Sequence, residues 1–307
     1  MRGSEVIRLS VFFDHILQAE EQTGKHIPEL LAEVKKAGIS AVEINCTYLL
    51  EHPATLEMLE TAGLQVSCIY EFYALERGRE TEKARRHIEI ARKTKAGKIL
   101  IVPGFFSVET EEFVNCVPDR EKVWDYLSHS EKAQRMADGL REIVEMAGSR
   151  NIADTSITVV IEDFDDRNSP IACVSGMQWF AEQVPGLCFT FDTGNFIIHG
   201  ENIFAAWEEL KDKVVHVHCK DRKISSDKPL QTQKNATPDI KECYLPAAVG
   251  EGCIPIKELV YKMKEYGYRG YLAIEHFDAA DQEAYMQKSA ANLQEYCSQT
   301  GMEIYTK

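Results

Sequence analysis

The chain has no excess of positive charge, no Cys-x-x-Cys pair, no apolar run long enough to span a bilayer and no Gly-x-Gly-x-x-Gly phosphate loop. Each absence argues against a class of protein. Lys and Arg total 35 against 49 Asp and Glu, a formal net charge of −14. A surface of that sign is not drawn to nucleic acid or to an anionic membrane, so neither partner is expected. The nine cysteines, at 46, 68, 116, 173, 188, 219, 243, 253 and 297, are scattered and odd in number. Several sit inside apolar runs such as "QVSCIY" and "GLCFTF". That pattern reads as buried free thiols in a reducing compartment, and a cytoplasmic location is expected. The opening "MRGSEVIRLSVFF" has too short an apolar run for a signal peptide. No stretch is long enough for a membrane helix. No low-complexity segment or linker divides the chain. No glycine-rich cradle for a phosphate stands out, which disfavours a highly anionic substrate.

What is present is a strand–helix alternation over 307 residues that are 44% hydrophobic and 27% charged. Eight short apolar runs read as buried parallel strands: 7–13, 41–46, 65–70, 98–104, 158–164, 187–192, 214–219 and 270–277. Between them run segments of helical period, clearest at 27–39, 81–96, 131–150 and 254–268. Gly38 is placed to stop the first and Pro255 to open the last. Eight βα repeats predict one α/β domain over residues 1–307, a single (β/α)8 TIM barrel. A doubly wound open sheet is the rival, but its first βα turn should carry the glycine fingerprint that is missing here. Two connections are long, 105–130 after strand four and 222–253 after strand seven. Loops in those places lie on the catalytic face of a barrel and can act as lids.

The strand ends carry the chemistry. In a barrel, side chains at the C-terminal ends of the strands converge on one mouth. Strand five ends with Glu162, strand six with Asp192, strand seven with His218 and strand eight with Glu275. Charged groups inside apolar strands are costly unless paired or bound to a cation. One divalent cation would account for all four. In "VVHVHCKDR" His216 and His218 share a face, roughly 6.6 Å apart along the strand. If they point inward, His218 lies at the mouth as a ligand and His216 supports it one layer deeper. Lys220 keeps the same parity and is placed to reach a substrate oxygen, whereas Asp221 faces elsewhere and holds the loop or Lys220. Glu71 ends strand three beside Tyr70 and Phe72, which can wall a sugar. Glu43, inside strand two, reads as a structural hydrogen-bond partner. The glycines of "VGEG" read as a tight turn next to the site.

The segments "VVIED", "FDTGN", "HVHCKD", "VGEG" and "AIEH", in that order, resemble the xylose-isomerase-like barrels. That superfamily includes ketose 3-epimerases, inosose dehydratases and hydroxypyruvate isomerases, along with the endonuclease IV group. The resemblance covers almost the whole chain. It implies that Glu162, Asp192, His218 and Glu275 bind one divalent cation, most often Mn2+, with Mg2+, Co2+ or Zn2+ as alternatives. It also implies that Glu162 and Glu275 form an acid–base pair. Many epimerases of the group have a histidine where this chain has Asn195. Asn195 can still bond a substrate hydroxyl, and His199 nearby is a candidate substitute for the imidazole. The endonuclease branch needs more histidine ligands and a DNA-facing surface, and neither is apparent.

A cation bridging a carbonyl and an α-hydroxyl acidifies the α-carbon proton, and a carboxylate can remove it to give an enediolate. Return of the proton to the opposite face is epimerisation. Return to the adjacent carbon is isomerisation, and loss of a β-hydroxyl is dehydration. The expectation is a metal-dependent isomerase or epimerase of a keto-sugar or cyclitol. A dehydratase of the inosose or dehydroshikimate type is the rival, and a non-catalytic sugar-binding barrel is the alternative from another class. The partner expected is thus a small sugar-like molecule; homo-oligomerisation stays open.

Overall fold

In the computed structural model the described residues are 6–106, 111–117, 119–148, 156–166, 169–225 and 244–304. Among these residues ten strands are formed: β1 Val6–Phe12, β2 Ala41–Asn45, β3 Gln65–Phe72, β4 Lys98–Val102, β5 Thr158–Glu162, β6 Cys188–Asp192, β7 Val214–Ile224, β8 Tyr244–Ala247, β9 Tyr271–Glu275 and β10 Glu303–Ile304. Strands β1 to β7 neighbour one another in chain order, and β9 pairs in parallel with both β1 and β7. The sheet is thereby closed into an eight-stranded parallel barrel with helices around it, the fold expected from the alternation. All eight expected strands are present. Each is apolar on both faces because one side meets the barrel interior and the other the helices.

Two strands were not foreseen. β10 pairs with the start of β1. β7 runs on to Ile224 and pairs antiparallel with β8, Asp221 opposite Ala247 and Lys223 opposite Leu245. Of the expected lid at 222–253, residues 226–243 lie outside the described residues. The expected long loop at 105–130 is corrected: it holds two helices, Glu111–Cys116 and Arg120–His129. The second starts where Asp119 accepts the backbone N–H groups of Glu121 and Lys122, a side-chain cap. It buries Val123 and Leu127, and Trp124 donates to the carbonyl of Ser175.

By contacts within the chain, the described residues group into two compact units. One holds residues up to Glu43, Ala54–Gln65 and His216 onward. Its core is Leu9, Val11, Val217, Leu272 and Ile274, covered by Leu31 and Leu293 of the helices Ile27–Lys36 and Gln282–Thr300. The other holds Ile44–Pro53 and Val66–Val215. Its core is Ile99, Ile101, Val160, Phe189 and Phe191, with Trp179, Phe180 and Trp207 of the helices Val174–Gln183 and Ile203–Leu210. The eight cysteines among the described residues are free, and five of them are buried. No described helix is long and apolar enough to cross a membrane.

In the second unit Glu201 receives the backbone N–H of Val174, at 3.3 and 3.2 Å, at the start of the helix Val174–Gln183. Burial pushes its carboxyl up to about 7, against 4.5 in the unfolded chain, with Glu209 adding to the rise and the Val174 N–H opposing it. Between those two values the folded state holds more protons than the unfolded one, so this group's contribution to stability falls as pH climbs from about 4.5 through about 7. Glu201→Gln should remove that component. Melting curves of the two proteins from pH 4.5 to pH 8 should therefore diverge, the wild type losing ground to the variant at the alkaline end. Parallel curves would show that burial does not govern this carboxyl.

Candidate functional site

The polar residues of the first unit form a chain of contacts at the ends of β2, β7 and β9. Glu43 in β2 is completely buried. Its Oε2 accepts from His216 Nε2 at 2.9 Å and His218 Nε2 at 3.1 Å. Burial alone would raise the Glu43 carboxyl; the two imidazoles, through proximity and hydrogen bonds, outweigh it and hold the group down at about 2. His218 Nδ1 lies 3.2 Å from Glu275 Oε2. Lys220 Nζ reaches Glu275 Oε1 at 2.6 Å. These two are neighbours across the sheet, since Lys220 is in register with Glu275. Burial pushes the Glu275 carboxyl up, but Lys220 and His218 together hold it well below the usual carboxylate range. Phe12, at the end of β1, sets its ring edge-on to His218 with centroids 4.9 Å apart. Behind them His15 and His276 stack at 4.5 Å, and His15 Nε2 accepts the His276 backbone N–H. Desolvation, reinforced by the neighbouring ring of His276, pushes His15 well below the usual imidazole range, so it is neutral and can accept that bond.

Asp221, one residue beyond Lys220 and facing the other way, builds the adjoining turn. Its carboxylate accepts four backbone N–H groups, from Arg222, Gly250, Gly252 and Ile254, at 2.8 to 3.1 Å. The turn "VGEGCIP" is wrapped around one side chain. Gly250 takes φ +87°, open to glycine at no steric cost, and a Cβ on Gly252 would fall 2.1 Å from Asp221 Oδ1. The turn leads into the helix Ile256–Tyr266 and from there to β9 and Glu275.

In the second unit Glu162 ends β5 and Asp192 ends β6, both buried. Asp192 Oδ1 accepts the Gly194 N–H at 2.7 Å. Asp163, which the sequence reading passed over, ties the two strand ends together. Its Oδ1 accepts the Asp192 N–H at 2.9 Å, and its carbonyl accepts Asn195 Nδ2 at 2.8 Å. Burial first, and then the charge of Asp192, push the Asp163 carboxyl well above its ordinary value. The acidic doublet in "VVIED" was the signal available for it. Asn195 thus has an amide hydrogen on the backbone, and His199 ends the single turn Phe196–His199 half-buried. Glu71 accepts Thr47 N at 3.1 Å, Thr47 Oγ1 at 2.5 Å and Phe72 N at 2.8 Å, with Lys83 at 3.6 Å. Those contacts fasten the first turn of the helix Cys46–Glu51. Above the strand ends Tyr70, Phe72, Phe105 and Phe164 meet edge to face, with centroids 5.4 to 6.2 Å apart, and Phe72 is 45% exposed.

The chain belongs to the xylose isomerase-like TIM barrel family, whose model matches residues 31–296. An inosose dehydratase of Bacillus licheniformis is 23% identical over 267 residues, which span 82% of this chain and 81% of that protein. Among solved structures, the probable 3-DHS dehydratase of Bacillus anthracis is similar at TM-score 0.66 and 15% identity, over 94% of this chain and 99% of that one. A 3-keto-D-glucoside 4-epimerase of E. coli is similar at TM-score 0.61 and 17% identity, over 94% and 98%.

Asp221→Ala should orphan several buried N–H groups, at ~1–3 kcal/mol each when nothing replaces the acceptor. Chemical denaturation should show a loss of about 3 kcal/mol or more, and Gly252→Ala a loss of ~1–3 kcal/mol from forced overlap. If Asp221→Ala unfolds at the wild-type midpoint, the turn does not depend on this carboxylate.

Proposed function

We infer that the protein is a metal-dependent isomerase or epimerase of a keto-sugar or cyclitol, a single barrel domain over 1–307 whose cation is held by Glu162, Asp192, His218 and Glu275. The observation that carries the reading is the donor set. Within the first unit the buried His218 Nδ1 and Glu275 Oε2 lie 3.2 Å apart, and within the second the buried Glu162 and Asp192 end the adjacent strands β5 and β6. Glu275 Oε2 is buried with no hydrogen-bond partner, so a cation would satisfy it. Three carboxylates with one imidazole suit Mn2+ first, with Mg2+, Co2+ or Zn2+ as alternatives. When bound, such an ion supplies Lewis-acid polarisation of a substrate carbonyl.

The remaining roles fall to this chain's own groups. Glu275, kept ionised by Lys220, takes the proton from the carbon beside the carbonyl, and Glu162 serves the opposite face. Lys220 orients Glu275 and reaches toward a substrate oxygen. Asn195, whose amide donates to the Asp163 carbonyl, is assigned to a substrate hydroxyl, together with His199 at the end of the following turn. Glu71 contributes indirectly, by fixing the backbone that carries Phe72. The aromatic edge of Tyr70, Phe72, Phe105 and Phe164 suits the C–H face of a sugar ring. Dehydration is the second reading, favoured by the two dehydratases among the similar proteins.

The test joins metal content to proton transfer. The purified protein should hold about one divalent ion per chain, as a single Lewis-acid site requires. His218→Ala should lose most of it and His216→Ala retain it. Glu162→Gln and Glu275→Gln should each lower turnover of a responsive ketose or cyclitol by ~10²–10⁴-fold, the usual contribution of a general base. Wild type should exchange the substrate's α-hydrogen with solvent deuterium. Near-normal turnover in both Gln variants would refute the proton-transfer roles. Loss of water from the product would move the assignment to dehydratase.

A further inference from the structure

We propose that Glu43 is a positioning residue of this site: its Oε2 holds the His218 proton on Nε2 and so presents the Nδ1 lone pair to Glu275 and the cation. The inference rests on reading His218 and Glu275 as cation ligands. A neutral imidazole has one N–H and one lone pair, and the partner of one nitrogen decides the state of the other. An ionised carboxylate only accepts. With Glu43 Oε2 at 3.1 Å, His218 Nε2 must carry the hydrogen. Once a cation displaces any second ring proton, the lone pair lies on Nδ1, the nitrogen 3.2 Å from Glu275 Oε2. The other oxygen of Glu275 is taken by Lys220 at 2.6 Å, which leaves Oε2 and Nδ1 as a matched pair of donors to an ion.

The same geometry gives His216 a purpose. It delivers a second N–H to the same Glu43 oxygen at 2.9 Å from one layer deeper. Two donors on one oxygen keep the carboxylate from turning away. Phe12, edge-on to the His218 ring at 4.9 Å, fixes the ring plane from the side. Phe12, Glu43, His216 and His218 are all buried and sit on strands, so the arrangement is held by the barrel's own strands. Partners of this kind, once removed from a metal, typically contribute 10–100-fold to its affinity. A purely structural Glu43, present to satisfy His216 in the core, would contribute to stability alone.

The experiment reads the tautomer and the affinity separately. In wild type loaded with diamagnetic Zn2+ or Mg2+ and labelled with ¹⁵N-histidine, long-range proton–nitrogen correlation should find His218 with its hydrogen on Nε2 and none on Nδ1. In Glu43→Gln the single amide oxygen cannot serve two N–H donors and the amide NH2 competes, so the His218 pattern should shift or split. Mn2+ affinity by titration calorimetry should fall ~10–100-fold. Glu43→Asp should recover part of that loss, and circular dichroism should show both variants folded. Should Glu43→Gln fail to fold, the wild-type tautomer and Glu43→Asp still decide. An Nδ1–H tautomer in wild type overturns the role of Glu43 alone. So does Mn2+ affinity in folded Glu43→Gln within about twofold of wild type, given the effect expected. A wild type that binds no divalent ion overturns the cation reading itself, and the proposal's orientation of Nδ1 with it.

Discussion

One oxygen, Oε2 of Glu43, accepts N–H bonds from two imidazoles two residues apart on one strand. A fully buried carboxylate is among the most expensive groups a barrel interior can hold, and it persists only if its charge is answered in place. His216 and His218 answer it, and in doing so lose their own freedom to turn. The rest of the polar centre in the first unit depends on that exchange. His218, once fixed, faces Glu275; Glu275 is fixed from its other oxygen by Lys220. Remove the first carboxylate and the sequence of orientations has no anchor.

Strand parity divides the work along β7. His216, His218 and Lys220 alternate with Val217, Cys219 and Asp221, as a pleated strand requires. The first set makes the ionic chain from Glu43 to Glu275. Val217 and Cys219 are buried on the other face, and Asp221 then gathers four backbone N–H groups of the turn that follows β8. That turn leads through one helix to β9, whose last residue is Glu275. A single strand thus sets one face of the carboxylate through Lys220 and shapes the turn from which its strand descends.

The barrel was legible because buried parallel strands have no polar face to blur them, so all eight stood out as apolar runs. The strand-end acids were legible for the complementary reason: a charge at the end of an apolar run demands an explanation. What failed to show was anything decided by a partner distant in sequence. The pairing of Arg222–Ile224 with Tyr244–Ala247 joins a polar stretch to one containing Pro246, and neither half reads as a strand alone. Phe13 continues the apolar run of β1 yet begins a helix, a boundary hydrophobicity does not mark. The helices after β4 are short and highly charged, and only Val123 and Leu127 of the second betray a buried stripe. Glu71 looked like Glu162 from its strand position; the difference lies in Thr47, which one-strand parity does not reveal. Asp163 follows Glu162 at the end of β5 and was passed over, since nothing in one strand shows that its carboxylate holds the Asp192 backbone.

Family membership leaves the choice among reactions to groups beyond the four proposed ligands, since the similar proteins include dehydratases and an epimerase. Here the decisive pair is Lys220 and Glu275. Expelling a hydroxyl as water needs an acid beside the leaving oxygen, whereas moving a proton between faces needs a base on one face and a proton donor on the other. Lys220 spends a hydrogen on Glu275 Oε1 and holds that carboxyl ionised against the pull of burial. Asp163, whose carboxyl burial and then Asp192 push well above its ordinary value, is tied through Oδ1 to the β6 backbone. Within the proposed reaction, Glu275 held ionised beside Lys220 is suited to take the α-proton, and the group that next returns a proton or releases water decides between the two readings.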